Sequence, residues 1–96
     1  MLTGKQKRYL RGVGHHLAPV IMIGKGEITE AVAQETREAL AAHELIKVKV
    51  LESCPLDREE AATELAGTCS AEIAQILGRT ILLYKRGEEP KIELPK

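Results

Sequence analysis

The stretch Pro19-Val20-Ile21-Met22-Ile23-Gly24-Lys25-Gly26-Glu27-Ile28-Thr29 decides the fold. Val20 to Ile23 are apolar without interruption, which predicts a central strand buried on both faces. Pro19 suits the start of that strand, because it has no N–H to offer a ladder. A loop with two glycines and a lysine follows, and then Thr29, a residue suited to cap a helix. A strand, a glycine loop and a helix N-terminus in succession favour an anion. Loop glycines let backbone N–H groups come close, and the helix end adds unpaired donors and partial positive charge.

Upstream of this stretch, Thr3-Gly4-Lys5-Gln6 fits a capping box opening a helix over about residues 4–16. Tyr9, Leu10, Val13 and Leu17 fall on one side of that helix. Lys7, Arg11 and His15 recur every four residues on the other side, with Arg8 beside them. Lys5 lies in the first turn, where the helix dipole disfavours a cation. The basic stripe is either a solvated face or a phosphate contact. Gly12 and Gly14 weaken the helix by roughly 1 kcal/mol each relative to alanine.

Downstream, a helix over about 30–42 is expected to bury Val32, Ala39 and Leu40 and to expose Glu30, Gln34, Arg37 and Glu38. Ile46, Val48 and Val50 alternate with Lys47 and Lys49, a strand with one apolar and one basic face. That basic face is either solvated or a second nucleic-acid contact. Pro55 breaks the chain, and Asp57-Arg58-Glu59-Glu60 opens a third helix to about Ala66, with a stop over 67–70. Residues 71–77 and 80–84 read as a hairpin turning at Gly78-Arg79. The resulting order is helix, strand, helix, strand, helix, strand, strand. It predicts one α/β domain over 1–96 with a four-stranded mixed sheet, a core over about 2–85 and a loosely held charged tail over 87–96.

Ninety-six residues suffice for one core without metal or disulfide staples. No apolar run approaches the roughly 20 residues of a membrane span, and nothing resembles a secretory leader, so a cytoplasmic protein is expected. Cys54 and Cys69 have no metal or redox spacing and read as reduced thiols. Net charge is zero but unevenly placed. Residues 1–26 carry Lys5, Lys7, Arg8, Arg11 and Lys25 and no acid, whereas residues 27–64 hold ten acids against four bases. One positive face is therefore possible, and local potential steers a polyanion better than net charge does.

The chain lacks the ingredients of common catalysis. Ser53, Ser70, His15 and His16 have no motif around them, and neither the Walker loop nor G-x-G-x-x-G is present. With Tyr9 and Tyr84 as its only aromatics, it has no platform for stacking several bases. An RNA partner would be met mainly through backbone and shape, with strong salt dependence.

Leu2-Thr3-Gly4-Lys5-Gln6-Lys7, then Arg11, His15 to Leu17, Pro19-Val20 and Ile23-Gly24-Lys25, resemble the CRM domain, the chloroplast RNA splicing and ribosome maturation domain. His43-Glu44-Leu45-Ile46-Lys47-Val48-Lys49-Val50 is the most specific block, and Ile76-Leu77-Gly78 with Ile81-Leu82-Leu83-Tyr84-Lys85 completes the likeness over 2–85. The length is similar to that of the stand-alone bacterial YhbY-like members. The resemblance implies an α/β RNA-binding domain similar in fold to the C-terminal domain of translation initiation factor three. It implies association with precursors of the large ribosomal subunit, and a G-x-x-G loop that grips nucleic-acid backbone. In this chain that loop holds Gly24, Lys25 and Gly26, with Glu27 where the family has its second glycine. Glu27 is expected to fit the glycine conformation poorly and to repel phosphate.

The expected RNA contacts are thus Lys5, Lys7, Arg8, Arg11, His15, Gly24, Lys25, Gly26, Lys47 and Lys49. The expected role is a monomeric, cofactor-free, non-enzymatic binder of structured ribosomal RNA that assists large-subunit assembly. The alternatives are a module whose acidic middle docks a basic ribosomal protein, and a small nucleotide-binding enzyme.

Overall fold

The computed structural model describes residues 2–96. Its elements follow the expected order: α1 (Gly4–Gly14), β1 (Pro19–Ile23), α2 (Glu30–His43), β2 (Leu45–Val50), α3 (Arg58–Cys69), β3 (Glu72–Leu77) and β4 (Thr80–Tyr84). Each helix begins where a side chain satisfies its orphan donors. Thr3 Oγ1 accepts from Gln6 N at 3.1 Å, and Gln6 Oε1 accepts from Thr3 N at 3.0 Å. Thr29 Oγ1 accepts from Val32 N at 3.1 Å, and Asp57 Oδ1 from Glu60 N at 2.8 Å.

The sheet order is β1-β2-β4-β3. β1 runs parallel to β2, while β4 is antiparallel to both β2 and β3. The hairpin strand β4 therefore inserts between β2 and β3, so the crossover through α3 does not join neighbouring strands. One face of the sheet carries Ile46, Val48, Val50, Ile81 and Leu83, and buries them with Leu40 and Leu65 from α2 and α3. The other face carries Leu45, Ala74, Leu82 and Tyr84, packed with Leu2 and Leu10 of the α1 region.

Several expectations are corrected. β1 is an edge strand, and its burial alternates. Ile21 and Ile23 are buried, whereas Val20 and Met22 are more than half exposed. The reason is coverage: α1 lies against β2 and β3 and leaves β1 bare on that face. An uninterrupted apolar run cannot distinguish a strand buried twice from an edge strand with one open apolar face. α1 ends at Gly14 and seats Leu10 and Gly14 on the sheet, while Tyr9, Val13 and Leu17 remain exposed. A β-carbon at Gly14 would stand 2.8 Å from Leu82 Cδ1, so the missing side chain is what lets α1 lie this close to β4. α2 buries Ala33, Thr36 and Leu40, with Val32 and Ala39 half-buried at the margin. Thr36 is tolerated because its hydroxyl donates to Val32 O at 2.7 Å. α3 continues through Gly67 to Cys69 and stops at Ser70, which adopts a left-handed conformation at φ 54°.

The tail is not loose. Glu44 is 2 % exposed, and its carboxylate accepts from Gly87 N at 2.7 Å, Lys91 N at 2.7 Å and Ile92 N at 3.0 Å. Ile92 and Leu94 then pack against the α1-side core, and Gln6 Nε2 donates to Pro95 O at 3.0 Å. Read from its composition alone, the segment offers only charges and prolines. Its anchor lies more than forty residues away at the end of α2.

Candidate nucleic-acid interface

The basic residues are positioned by the elements just described. Alternation along β2 sends Lys47 and Lys49 to the α1 side of the sheet, away from the buried Val48 and Val50. Lys47 is half-buried, and its Nζ donates to His15 O at 3.4 Å, placing a cation at the negative end of α1. Arg11, Gly14 and His15 of α1 face Lys47, Gln75, Leu77, Thr80 and Leu82 of the sheet across a groove of about 220 Å³. The groove contains three basic side chains and no carboxylate among its lining residues. Within the sheet's α1 face the acid Glu72 pairs with Tyr84, at the end opposite to Lys49.

The next row of the same face continues this surface. Lys49 pairs with Met22 on one side and with Thr80 on the other, and Thr80 pairs with Leu77. The Gly24–Glu27 turn follows Met22 by a single strand residue and closes with Glu27 N donating to Gly24 O at 3.0 Å. Lys25 and Gly26 are exposed at its tip, and Gly24 is partly buried under Leu51 and Ser53. Glu27, not Gly26, holds the left-handed conformation, with φ 60°. A non-glycine residue therefore does accept the glycine conformation here, at a cost in strain. Glu27 does not cap α2. Its side chain is exposed, and the N-terminal donor at Val32 is satisfied by Thr29.

The remaining expected contacts separate. Lys5 and Arg8 are exposed on α1, outside the groove's lining. Lys7 lines a different cleft with Leu2, Thr63, Ala66, Glu72 and Ile73. The structure thus brings Arg11, His15 and Lys47 together, with Lys49 adjoining and the loop at the same sheet end. It does not gather the whole stripe.

One further cation, Arg79, lies near this sheet end, and the sequence reading gave it only a place in the hairpin turn. It sits in the β3–β4 turn, its guanidinium donates to Leu51 O at 3.4 Å, and its carbonyl accepts from Val50 N at 2.8 Å. Because Leu51 N in turn donates to Ile23 O, Arg79 lies beside the end of β1 that leads into the glycine turn. Cys54 and Cys69 are unbridged core thiols. Burial pushes the Cys69 thiol up, which keeps it protonated and a poor nucleophile.

Comparison with known proteins agrees with this architecture. The family profile for the CRS1 / YhbY (CRM) domain matches residues 2–85. The chain is 47% identical over 96 residues to "Probable RNA-binding protein YqeI" of Bacillus subtilis, covering 99% of this chain and all of that one. It is 40% identical over 95 residues to "RNA-binding protein" of Haemophilus influenzae, covering 99% and 96%. The solution structure of SAV1595 from Staphylococcus aureus matches with a TM-score of 0.83 at 43% identity, covering 99% of this chain and 100% of the other. Fold, extent and sequence agree, and the chain belongs to the CRS1/YhbY (CRM) domain family.

Proposed function

We propose that the protein binds structured ribosomal RNA through backbone phosphates and assists assembly of the large ribosomal subunit. The observation that carries the reading is the acid-free groove in which Arg11, His15 and Lys47 converge. Membership in the family, and relatives bearing the name of RNA-binding proteins, support RNA as the polyanion. Lys49 and Lys25 extend the contact toward the loop, where backbone N–H groups and the α2 N-terminus favour a phosphate. Lys5, Lys7 and Arg8 lie farther along α1 and contribute long-range attraction more than close contact. The protein acts by binding and not by catalysis.

The test is a dissociation constant for a large-subunit RNA fragment across a salt series. Affinity is expected to fall linearly on a log–log plot, with a slope set by the phosphates neutralised. A flat response would overturn backbone-led binding. Crosslinking in cells, with sequencing of the attached RNA, identifies the site. Recovery of RNAs unrelated to the large subunit would reject the ribosomal part of the reading.

A further inference from the structure

The open end of the sheet's α1 face combines charge with exposed apolar side chains. Met22, Lys49, Thr80 and Leu77 form one continuous cross-strand row, set by the pairings of β1 with β2, β2 with β4, and β4 with β3. At about 4.8 Å between neighbouring strands, the row spans about 14 Å. Met22 is 56% exposed and Leu77 68% exposed, the two most exposed large apolar side chains among the described residues. Neither is needed by the core. Leu77 also lines the groove that holds Arg11, His15 and Lys47, so the apolar row and the basic groove are one surface.

Phosphate binding alone has no use for two exposed apolar groups on either side of a lysine. A bare apolar patch beside a basic groove lined by no carboxylate suits a ligand that is anionic on one side and apolar on another. Duplex RNA presents only phosphate, ribose and groove edges, whereas an unpaired nucleotide also presents the flat face of its base. Methionine suits such a face, because its thioether is polarisable and its chain adapts in shape.

Building on the RNA-binding reading above, we propose that this row receives two unpaired nucleotides from a loop or bulge. Met22 and Leu77, at the two ends of the row, would each lie against an unpaired base while Lys49 meets the phosphate between them. The surface then distinguishes RNA carrying unpaired nucleotides from continuous duplex without any aromatic platform.

The experiment compares two probes of equal length, a hairpin RNA with an unpaired loop and a fully paired duplex. The parent protein is expected to prefer the hairpin. Met22→Ser combined with Leu77→Ser should lower hairpin affinity about tenfold, the equivalent of about 1.4 kcal/mol. Duplex affinity and the salt slope should stay unchanged, because no charge is altered. About 60 Å² of apolar burial suffices for that loss. Met22→Leu with Leu77 intact should retain the preference, and a melting curve checks folding of each variant.

Equal hairpin affinity of the parent and the double-serine variant would overturn the proposal and leave the row as a surface for a protein partner. An equal loss on both probes would also overturn it. If the parent binds neither probe, or Lys47→Gln leaves its salt slope unchanged, the RNA-binding reading itself has failed. The two failures are therefore distinguishable.

Discussion

Replacing Glu27 with glycine should change stability and RNA affinity together, whereas glutamine should change affinity alone. Glu27 is held at φ 60° by the Gly24–Glu27 turn, with its side chain exposed. A left-handed conformation costs a non-glycine residue about 1–2 kcal/mol. Glycine removes that cost but gives back about 0.4–1 kcal/mol through the freedom of the unfolded chain. The net gain is about 0.5–1 kcal/mol, and at about 4–8 °C per kcal/mol for a domain of this size, Tm should rise by about 2–8 °C. Glutamine keeps the strain, so its Tm should match the parent's. Both substitutions delete a negative charge at the loop. A carboxylate about 6 Å from a phosphate in water opposes it by about 0.7 kcal/mol, a factor of about three in affinity, and less as salt rises. The assay pairs thermal melts with RNA titrations at low and moderate salt. A Tm for the glycine variant at or below the parent's would refute the strain argument. Identical affinity in all three proteins would show that the turn does not approach phosphate, and the loop would have to be removed from the interface.

Other outcomes follow from the same geometry. Gly12→Ala should stabilise by about 0.5–1 kcal/mol in denaturant titrations, because a β-carbon there meets nothing within 4 Å and alanine is the better helix former. Arg11→Gln and Lys47→Gln should each reduce the magnitude of the salt slope by about 1, and Lys5→Gln, outside the groove, should change it less. Arg11→Gln should move stability by no more than about 0.5 kcal/mol, since that side chain is exposed. Glu44→Ala should destabilise by about 2–3 kcal/mol, because its three backbone donors lose a charged acceptor. Hydrogen exchange at Gly87, Lys91 and Ile92 should accelerate with it. Acid should act similarly. The Gly87 N–H above all holds the Glu44 carboxyl below its ordinary 4.5, against the opposing effect of burial and with help from Lys91 and Ile92. A carboxyl lowered on folding lends stability above its unfolded value and loses it as pH falls through the folded one. Exchange protection of the tail should therefore decay below about pH 4.5, and the same decay in the non-titrating Glu44→Gln variant would argue against the clamp.

Local chemistry was readable where a residue's role depends on its near neighbours. Capping residues at Thr3, Thr29 and Asp57 marked the three helix starts, and Gly78-Arg79 marked the hairpin. The alternation of Ile46, Val48 and Val50 with Lys47 and Lys49 correctly predicted which face of β2 is buried. What depends on distant coverage was not readable. Whether Val20 and Met22 are buried is decided by where α1 crosses the sheet, and no periodicity within β1 encodes that crossing. Glu44 looked like one acid among ten, yet it anchors a segment whose sequence gives no sign of being held. The groove was half legible. Arg11 and His15 were visible as a helical stripe and Lys47 as a strand face, but only the packing of Gly14 on Leu82 brings them together.

The bare edge at β1 has a consequence for colloidal behaviour. An edge strand with apolar Val20 and Met22 on its open face is a template on which a second chain could add by strand pairing, most of all when no ligand covers it. Three features blunt that template. The strand has only five residues, it begins with a proline that cannot donate to an added ladder, and its register with β2 is irregular between Pro19 and Ile21. Lys25 then guards the end where the strand runs into its turn. Pro19 thus does more than start a strand. It shortens and bends an adhesive edge, which disfavours pairing with a copy of itself while that face stays uncovered.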